Sequence, residues 1–132
     1  MIRKSKIKKN GERAKFSGKF IELVEDEVTF PDGSPGIYTR IRYHNNPDAV
    51  VIVPQDSDGN YILLVHDRYA AGKQMLEFPR GMDSDCRNSK DTARTEAQEE
   101  LNTDPQELTY LGSIYPDGAV IETMAHVWLV KI

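Results

Sequence analysis

The stretch GMDSDCRNSKDTARTEAQEELNT, from Gly81 to Thr103, decides the fold of this chain. Either Asn88 or Ser89 can cap a helix N-terminus, and neither Gly nor Pro interrupts residues 90 to 101. The stretch therefore predicts a helix of about three turns ending at Leu101. Three small or apolar residues recur at i, i+4 and i+8 on one side of it: Ala93, Ala97 and Leu101. This side can pack closely on a sheet.

Three carboxylates occupy the neighbouring face of the same helix. Glu96, Glu99 and Glu100 stand at i, i+3 and i+4, which places them within a single turn. Like charges at this spacing repel one another, so a cation is expected to compensate them. A cluster of hard oxygen ligands without His or Cys suits Mg²⁺ or Mn²⁺. A solvated acidic helix face is the alternative, and the helix alone does not decide between the two.

The wider spacing resembles the box that defines the Nudix hydrolases. That pattern begins with Gly and ends in a Glu-rich helix, and five residues of this chain fall on its positions: Gly81, Glu96, Ala97, Glu99 and Glu100. Three positions depart from it: this chain has Arg87 where the pattern has Glu, Thr95 where it has Arg, and Asn102 where it has Gly. Asn is the next best residue after Gly for a left-handed helix C-terminus, so the last departure is mild.

The resemblance implies a fold, an activity and a metal. The fold is of the α/β (α+β) class, a Nudix-like α/β/α sandwich with a mixed central sheet, preceded by an N-terminal antiparallel hairpin. The activity is hydrolysis of the phosphoanhydride in a nucleoside diphosphate linked to another group, with Mg²⁺ or Mn²⁺ as cofactor. Glu96, Glu99 and Glu100 are the expected catalytic residues and metal ligands, and the Gly81 carbonyl is a further ligand.

The segment before the box resembles the ADP-ribose and nucleotide-sugar branch of that family. There the box follows a Glu-x-Pro-x-Gly segment, which is similar to residues 77–81 here, and His66-Asp67-Arg68-Tyr69 is similar to an earlier Gln-Tyr-Arg. A guanidinium offers phosphate a planar fork of donors, so Arg68 and Arg80 are expected substrate contacts, with Glu77 and Lys73 as further candidates. The alternatives are a surface Arg and a carboxylate satisfied by backbone donors.

After the box, Pro116, Gly118 and Glu122 are similar to a turn followed by Glu that borders the substrate in the same branch. Glu122 is therefore an expected substrate contact. Tyr115 can stack an adenine, and so can Trp128, although large aromatics on strands also serve as core residues. The three histidines are scattered without metal-ligand spacing and are interpreted as structural or surface residues: His44, His66 and His126.

The length of 132 residues and the 39% of hydrophobic residues predict one domain with a single core. No apolar run is long enough to cross a membrane and no secretory leader is present, so no membrane association is expected. Cys86 is the only cysteine, and it is interpreted as a tolerated loop residue. A single cysteine is compatible with a reducing compartment, so the predicted location is cytoplasmic.

The charge is unevenly distributed along the chain. Residues 1 to 19 hold eight Lys or Arg against Glu12 alone, whereas residues 20 to 132 hold nine against twenty acids. The start is predicted to be a basic flexible tail (1–19), followed by one Nudix-like domain (20–132) that comprises a hairpin (20–45) and a catalytic core (46–132). In the branch that the segment before the box resembles, a similar N-terminal hairpin supports dimerisation, so the resemblance implies a homodimer through the hairpin. A nucleic-acid partner for the tail is not expected.

Strands are predicted from short runs rich in β-branched and aromatic residues: 20–30, 37–44, 49–54, 61–65, 108–115 and 123–132. The continuous apolar character of 49–54 and 61–65 predicts burial on both faces, with a helical layer on each side of the sheet.

The departures at Arg87 and Thr95 leave a second function open, a catalytically weak nucleotide-binding module that regulates another protein. A nucleic-acid accessory protein is a third interpretation, which a steep loss of binding with salt would identify. The sequence does not choose among ADP-ribose, nucleotide sugars and dinucleoside polyphosphates, since all share the diphosphate.

Overall fold

The computed structural model describes residues 6–83 and 88–132, and the chain divides into two compact units. The first comprises the described part of Met1–Asn46 together with Tyr115–Thr123. The second comprises Pro47–Ile114, without its undescribed positions, and Met124–Ile132. Cys86, interpreted as a loop residue, and Arg87, one of the departures from the box, lie outside the described residues.

The first unit is a three-stranded antiparallel sheet in the order β1-β2-β3. Its strands are β1 (Lys8–Ser17), β2 (Ile21–Thr29) and β3 (Pro35–Tyr43). The two strands of the predicted hairpin are thus present. Asp32 Oδ1 accepts hydrogen bonds from the Ser34 amide and hydroxyl in the connecting turn, where Gly33 has a φ of 87°.

The prediction of a flexible tail over residues 1–19 is wrong for Lys8–Ser17, which form β1. Basic residues of this strand form ion pairs with acidic residues of β2: Lys15 Nζ is 3.3 Å from Glu25 Oε2, and Lys9 Nζ is 3.7 Å from Asp26 Oδ1. A count of charges along the segment misses this cross-strand compensation. The charged side chains also suit an edge strand, because they oppose pairing with another chain.

An ion network centred on a buried carboxylate joins the strands of the first unit. Val24, Asp26 and Val28 alternate along β2 and are all buried, so a carboxylate lies between two core residues. Arg40 compensates it, with Nε 2.6 Å from Asp26 Oδ2 and NH2 2.7 Å from Glu12 Oε2. The network links all three strands, and it extends through Arg42, Glu22 and Lys9.

This network predicts a loss of stability in acid. Hydrogen bonds from Lys9 and Arg42 lower the pKa of Glu12 from 4.5 to about 2, and Arg40 lowers the pKa of Asp26. A carboxyl whose pKa is lower in the folded state stabilises the fold above its unfolded pKa, and that contribution disappears as the pH falls through the folded pKa. We therefore expect the free energy of unfolding to fall between about pH 4.5 and pH 2.

Urea unfolding followed by circular dichroism across this pH range measures the effect. Arg42→Gln is the matched variant, because it removes one of the three cations that hydrogen-bond Glu12, and one of the two that lower its pKa most. The pH dependence should be shallower in Arg42→Gln than in the parent. Equal slopes would show that the network does not stabilise the protein.

The second unit contains a mixed sheet in the order β7-β4-β9-β8, in which β4 and β9 run parallel and the other neighbours antiparallel. Its strands are β4 (Ala49–Gln55), β7 (Arg80–Met82), β8 (Glu107–Ile114) and β9 (Ala125–Lys131). The helix α1 (Ser89–Leu101) packs on one face of the sheet. The buried hydrophobic cluster between helix and sheet comprises five residues: Val50, Ile52, Ala93, Ala97 and Val130.

The predicted α+β class and mixed sheet are confirmed. In the described parts of the chain, however, α1 is the one α-helix, so the second helical layer has no counterpart among residues 6–83 and 88–132. None of the described helices is long and apolar enough to cross a membrane.

The prediction that residues 61–65 form a core strand is wrong. The strand is β5 (Leu64–Arg68), and it pairs with β6 (Lys73–Glu77) in a separate two-stranded ribbon, joined by a single 3₁₀ turn at Tyr69–Ala71. Val65 is 61% exposed there. The apolar run ends in His-Asp-Arg, and these polar residues extend the strand beyond the core.

Candidate active site

The helix α1 has the boundaries that its end residues predict. The Asn88 side chain accepts a hydrogen bond from the Asp91 amide at 3.0 Å and so satisfies one free N–H of the first turn. At the other end Asn102 adopts the left-handed conformation, with a φ of 51°, and its amide donates to the Ala97 carbonyl. Asn102 therefore takes the conformation for which Gly is usually preferred.

The apolar side of α1 faces the sheet and fixes where the carboxylates lie. Ala93 and Ala97 are fully buried, and their small side chains let the helix lie close to β4. Glu96 precedes Ala97, so it is half-buried at the edge of this contact, whereas Glu99 and Glu100 are exposed. The three carboxylates are therefore not equivalent.

Glu96 lies against the backbone of Gly81 on β7. A Cβ atom added to Gly81 would stand 1.7 Å from Glu96 Oε1 and 2.2 Å from Glu96 Cδ, much closer than atoms can approach. Only a residue without a side chain leaves this space for the carboxylate. The first Gly of the box and its first helical Glu, 15 positions apart in the sequence, are thus brought together.

Burial raises the pKa of Glu96, and the negative charges of Glu99 and Glu100 raise it further. Desolvation and like charges both disfavour the ionised form, and they act here on the carboxyl that is closest to the sheet. Glu96 therefore holds a proton more readily than an ordinary glutamate.

Arg68 lies in a different setting from the one predicted for a phosphate contact. Its Nε donates to both carboxylate oxygens of Glu77, at 3.0 and 2.9 Å, and its NH2 also bonds Glu77. Arg68 lowers the pKa of Glu77 chiefly through these bonds, and the charge of Arg80 adds to the effect. The charge of Glu100 stabilises the Arg68 guanidinium, so this ion pair lies in the electrostatic field of the box.

Glu122 and Tyr115 belong to the first unit, whereas the box glutamates belong to the second. The Glu122 carboxylate bonds Arg40, and the Glu122 amide donates to the Ile41 carbonyl, which ties the segment 115–123 to β3. Tyr115 is exposed. The structure thus gives Glu122 a structural partner, and its expected contact with substrate stays a prediction.

Several other candidates have local structural roles. Trp128 packs against Tyr110 with ring centroids 5.0 Å apart, and its indole N–H donates to Ser89 Oγ, as expected of a core aromatic. His44 Nε2 is 2.7 Å from the Gly18 carbonyl.

Lys73 and Arg80 are exposed at strand ends beside the Arg68–Glu77 pair.

The described residues fit a divalent cation by their chemistry, since three carboxylates on one helical turn lie beside a backbone position with room for no side chain. Among residues 6–83 and 88–132, no group of three His, Cys, Asp or Glu side chains is gathered closely enough to hold a metal ion as it stands. The glutamates as metal ligands stay a prediction.

One group of polar residues was not anticipated from the sequence. His126 connects Asp48, which precedes β4, with Tyr110 on β8 through two hydrogen bonds. These residues are 78 and 16 positions from His126, so no local spacing signals the group. Only the pairing of β9 with both β4 and β8 brings it together.

No family model matches the chain. Among curated proteins, it is 25% identical over 119 residues to a CMP-5'-(N-acetyl-N-hydroxy-3-aminopropyl)phosphonate hydrolase of Streptomyces rubellomurinus. The match covers 90% of this chain and 56% of that protein. It is also 25% identical over 116 residues to an ADP-ribose pyrophosphatase of Bacillus subtilis, with 88% and 61% covered. A methanol dehydrogenase activator of Bacillus methanolicus is 22% identical, with the same coverage.

The fold is similar to that in a crystal structure of an ADP compounds hydrolase, with a TM-score of 0.83 and 20% identity over 99% of this chain and 69% of that one. The chain spans 56 to 61% of the length of the curated relatives. The predicted resemblance to the Nudix hydrolases is confirmed by these relatives, and the predicted fold by the structural neighbour.

Proposed function

We propose that this chain hydrolyses the phosphoanhydride of a nucleoside diphosphate linked to another group, of the ADP-ribose or nucleotide-sugar type, with Mg²⁺ or Mn²⁺. The observation that carries the proposal is the contact of Glu96 with the Gly81 backbone, one turn before the exposed Glu99 and Glu100. The similarity to an ADP-ribose pyrophosphatase supports the substrate class.

The three glutamates have different roles in this proposal. Glu99 and Glu100 are exposed, so they can hold a divalent cation, which when bound neutralises diphosphate oxygens and lowers the pKa of the attacking water. Glu96 has a raised pKa, which brings a carboxylate nearer to the range in which a general base works well. Glu96 is therefore the residue that accepts the proton of the attacking water.

The Arg68–Glu77 pair has a positioning role in the proposal. Its guanidinium is held by two bonds from Nε and one from NH2, and it balances part of the negative charge of Glu100. Arg80, on the exposed end of β7, is the better candidate for a direct phosphate contact, because it adjoins Gly81 in the chain.

The decisive experiment is incubation of the protein with ADP-ribose, nucleotide sugars and dinucleoside polyphosphates, with Mg²⁺, Mn²⁺ or EDTA, and separation of the products by chromatography. Metal-dependent release of a nucleoside monophosphate from any of them supports the proposal. The absence of product from every substrate, in protein whose folding is verified by circular dichroism, would contradict it.

The second candidate function is a nucleotide-binding regulatory module with weak catalysis. Two observations favour it: Arg68 and Glu122, both predicted to contact substrate, are paired with Glu77 and Arg40 instead. One of the relatives is named as an activator of another enzyme. Saturable nucleotide binding by calorimetry, without turnover of any substrate in the panel, would identify this function.

The two departures from the box provide a further prediction. Thr95 donates its hydroxyl to the Asp91 carbonyl one turn earlier, so it does not supply the charge that an Arg brings to this position. Arg94 is 2.6 Å from Asp104, so it is engaged elsewhere. We expect Arg87→Glu and Thr95→Arg together to raise turnover by more than the product of the single effects, because the Glu and Arg of the family pattern hold the box in shape together, and residues that act as a pair couple by about 0.5 to 3 kcal/mol.

The four proteins of this cycle should be compared by kcat/KM for the best substrate of the panel. Arg87→Glu alone should lower turnover, since it replaces a cation of the box sequence with an acid and adds no balancing cation. Simple multiplication of the two single effects would show that positions 87 and 95 do not interact in this protein.

A further inference from the structure

Asp48, His126 and Tyr110 form a continuous hydrogen-bonded chain in the second unit. His126 Nε2 is 3.1 Å from Asp48 Oδ2, and His126 Nδ1 is 3.1 Å from the Tyr110 hydroxyl. A nucleophile within hydrogen-bond reach of a base, with the base oriented by a third group, is the arrangement of an activated nucleophile. The box glutamates take no part in it.

The sheet itself sets this alignment. In the order β4-β9-β8, His126 pairs with Val50 on one side and with Ser113 on the other. Side chains two positions apart on a strand share a face, so Asp48, two before Val50, and Tyr110, opposite Trp128, lie diagonally from His126 within reach of its ring.

A β-bulge adjusts the position of Tyr110. The register of β8 against β9 shifts between Tyr110 and Gly112, so Leu111 is an extra residue, and Gly112 has a φ of 132° that favours glycine. Bulges of this kind re-aim side chains. Trp128 packs against the Tyr110 ring, which leaves the hydroxyl end of the side chain to meet His126.

The direction of the hydrogen bonds follows from the donors available. A carboxylate only accepts, so Asp48 requires a proton on His126 Nε2. Nδ1 of the neutral imidazole is then an acceptor, and the Tyr110 O–H donates to it. The phenol proton is thus directed at a base that is held in the required tautomer.

We propose that Asp48, His126 and Tyr110 act as a triad in which Tyr110 accepts an acyl group from a neutral ester. The Tyr110 oxygen attacks the carbonyl carbon and forms a new C–O bond, its proton passes to His126 Nδ1, and the ester C–O bond breaks to release the alkoxide or phenolate. The imidazolium is held by Asp48 until it returns its proton to the leaving group. The product is an O-acyl tyrosine.

The charge of Asp48 favours a neutral donor. Its carboxylate is joined to the Tyr110 hydroxyl through a single imidazole, that of His126. Negative charge close to the nucleophile repels an anionic phosphoryl donor, whereas an uncharged ester carries no such penalty. Tyr110 is 47% exposed, so a small ester can reach it.

The test uses p-nitrophenyl acetate and site-resolved mass spectrometry of the intact chain. Tyr69 is 100% exposed and serves as the internal reference, since any acetylation that depends on access alone favours it. We expect Tyr110 to be acetylated on the order of 100-fold faster than Tyr69, the lower end of what a positioned general base contributes.

Two variants separate the triad from simple reactivity. His126→Gln removes the base, and Asp48→Asn removes the group that fixes its tautomer while changing an exposed side chain. Both should slow acetylation of Tyr110 towards the rate of Tyr69 and leave Tyr69 unchanged. Acetylation of Tyr110 no faster than that of Tyr69, or an enhanced rate that survives in Asp48→Asn, would overturn the proposal.

Discussion

Glu100→Gln is expected to abolish metal-dependent hydrolysis and to leave the fold intact. Glu100 is exposed on the last turn of α1, and Gln has the same shape without the charge. Loss even of residues that only support metal ligands costs about 10- to 100-fold, so loss of a direct ligand should lower kcat/KM by about 100-fold or more. Calorimetry with Mn²⁺ alone should show a matching loss of metal affinity.

The same substitution should change the electrostatics of the helix in the absence of metal. The charge of Glu100 contributes to the raised pKa of Glu96, so Glu100→Gln should bring that pKa closer to its ordinary value. A carboxyl whose pKa is higher in the folded state makes the fold less stable as the pH rises above its unfolded pKa. Metal-free Glu100→Gln should therefore melt at or slightly above the temperature of the parent at neutral pH.

Glu107→Gln is the matched control, because Glu107 is an exposed glutamate of the same unit whose partner is Lys131. It removes the same charge outside the box and should leave turnover unchanged. If Glu100→Gln hydrolyses substrate as fast as the parent, or if it loses no more activity than Glu107→Gln does, Glu100 is not a ligand.

The features that the sequence predicted well are those determined by neighbouring residues. A cap at Asn88, a left-handed end at Asn102 and an alanine side facing the sheet depend on contacts within one or two turns. The turn around Gly33 is similarly local, since the Asp32 side chain bonds Ser34 two residues later. The helix α1 and the β2–β3 hairpin could therefore be predicted from interactions between residues that are close in the sequence.

The features that were predicted wrongly depend on distant partners. β1 pairs with β2 along its length, and Lys9 and Lys15 form ion pairs with Asp26 and Glu25 of that strand. Arg68 and Glu122 form ion pairs with Glu77 and Arg40 that the sequence did not predict, and their expected substrate contacts stay predictions. Composition shows that charges are present, but only strand pairing shows which of them neutralise one another.

Gly81→Ala is expected to inactivate the protein at little cost in stability. The Cβ atom of the alanine would lie 1.7 Å from Glu96 Oε1, so the carboxylate must move away from the β7 backbone. The atoms that must shift belong to the end of a flexible side chain, and the backbone of Gly81 is not in the left-handed region. The free energy of unfolding should therefore change by less than about 1 kcal/mol, whereas kcat should fall by on the order of 100-fold.

Gly11→Ala is the control for a Gly-to-Ala change in a strand, because its Cβ would meet Glu27 at an ordinary contact distance of 3.5 Å. It should leave turnover as it is. The combination Gly81→Ala with Glu96→Gln decides the mechanism, since both changes act on the same carboxylate. The double variant should be about as slow as Glu96→Gln alone, because a displaced carboxylate has no further activity to lose. Multiplication of the two losses would show that Gly81 contributes something other than space for Glu96, such as its carbonyl oxygen as a metal ligand.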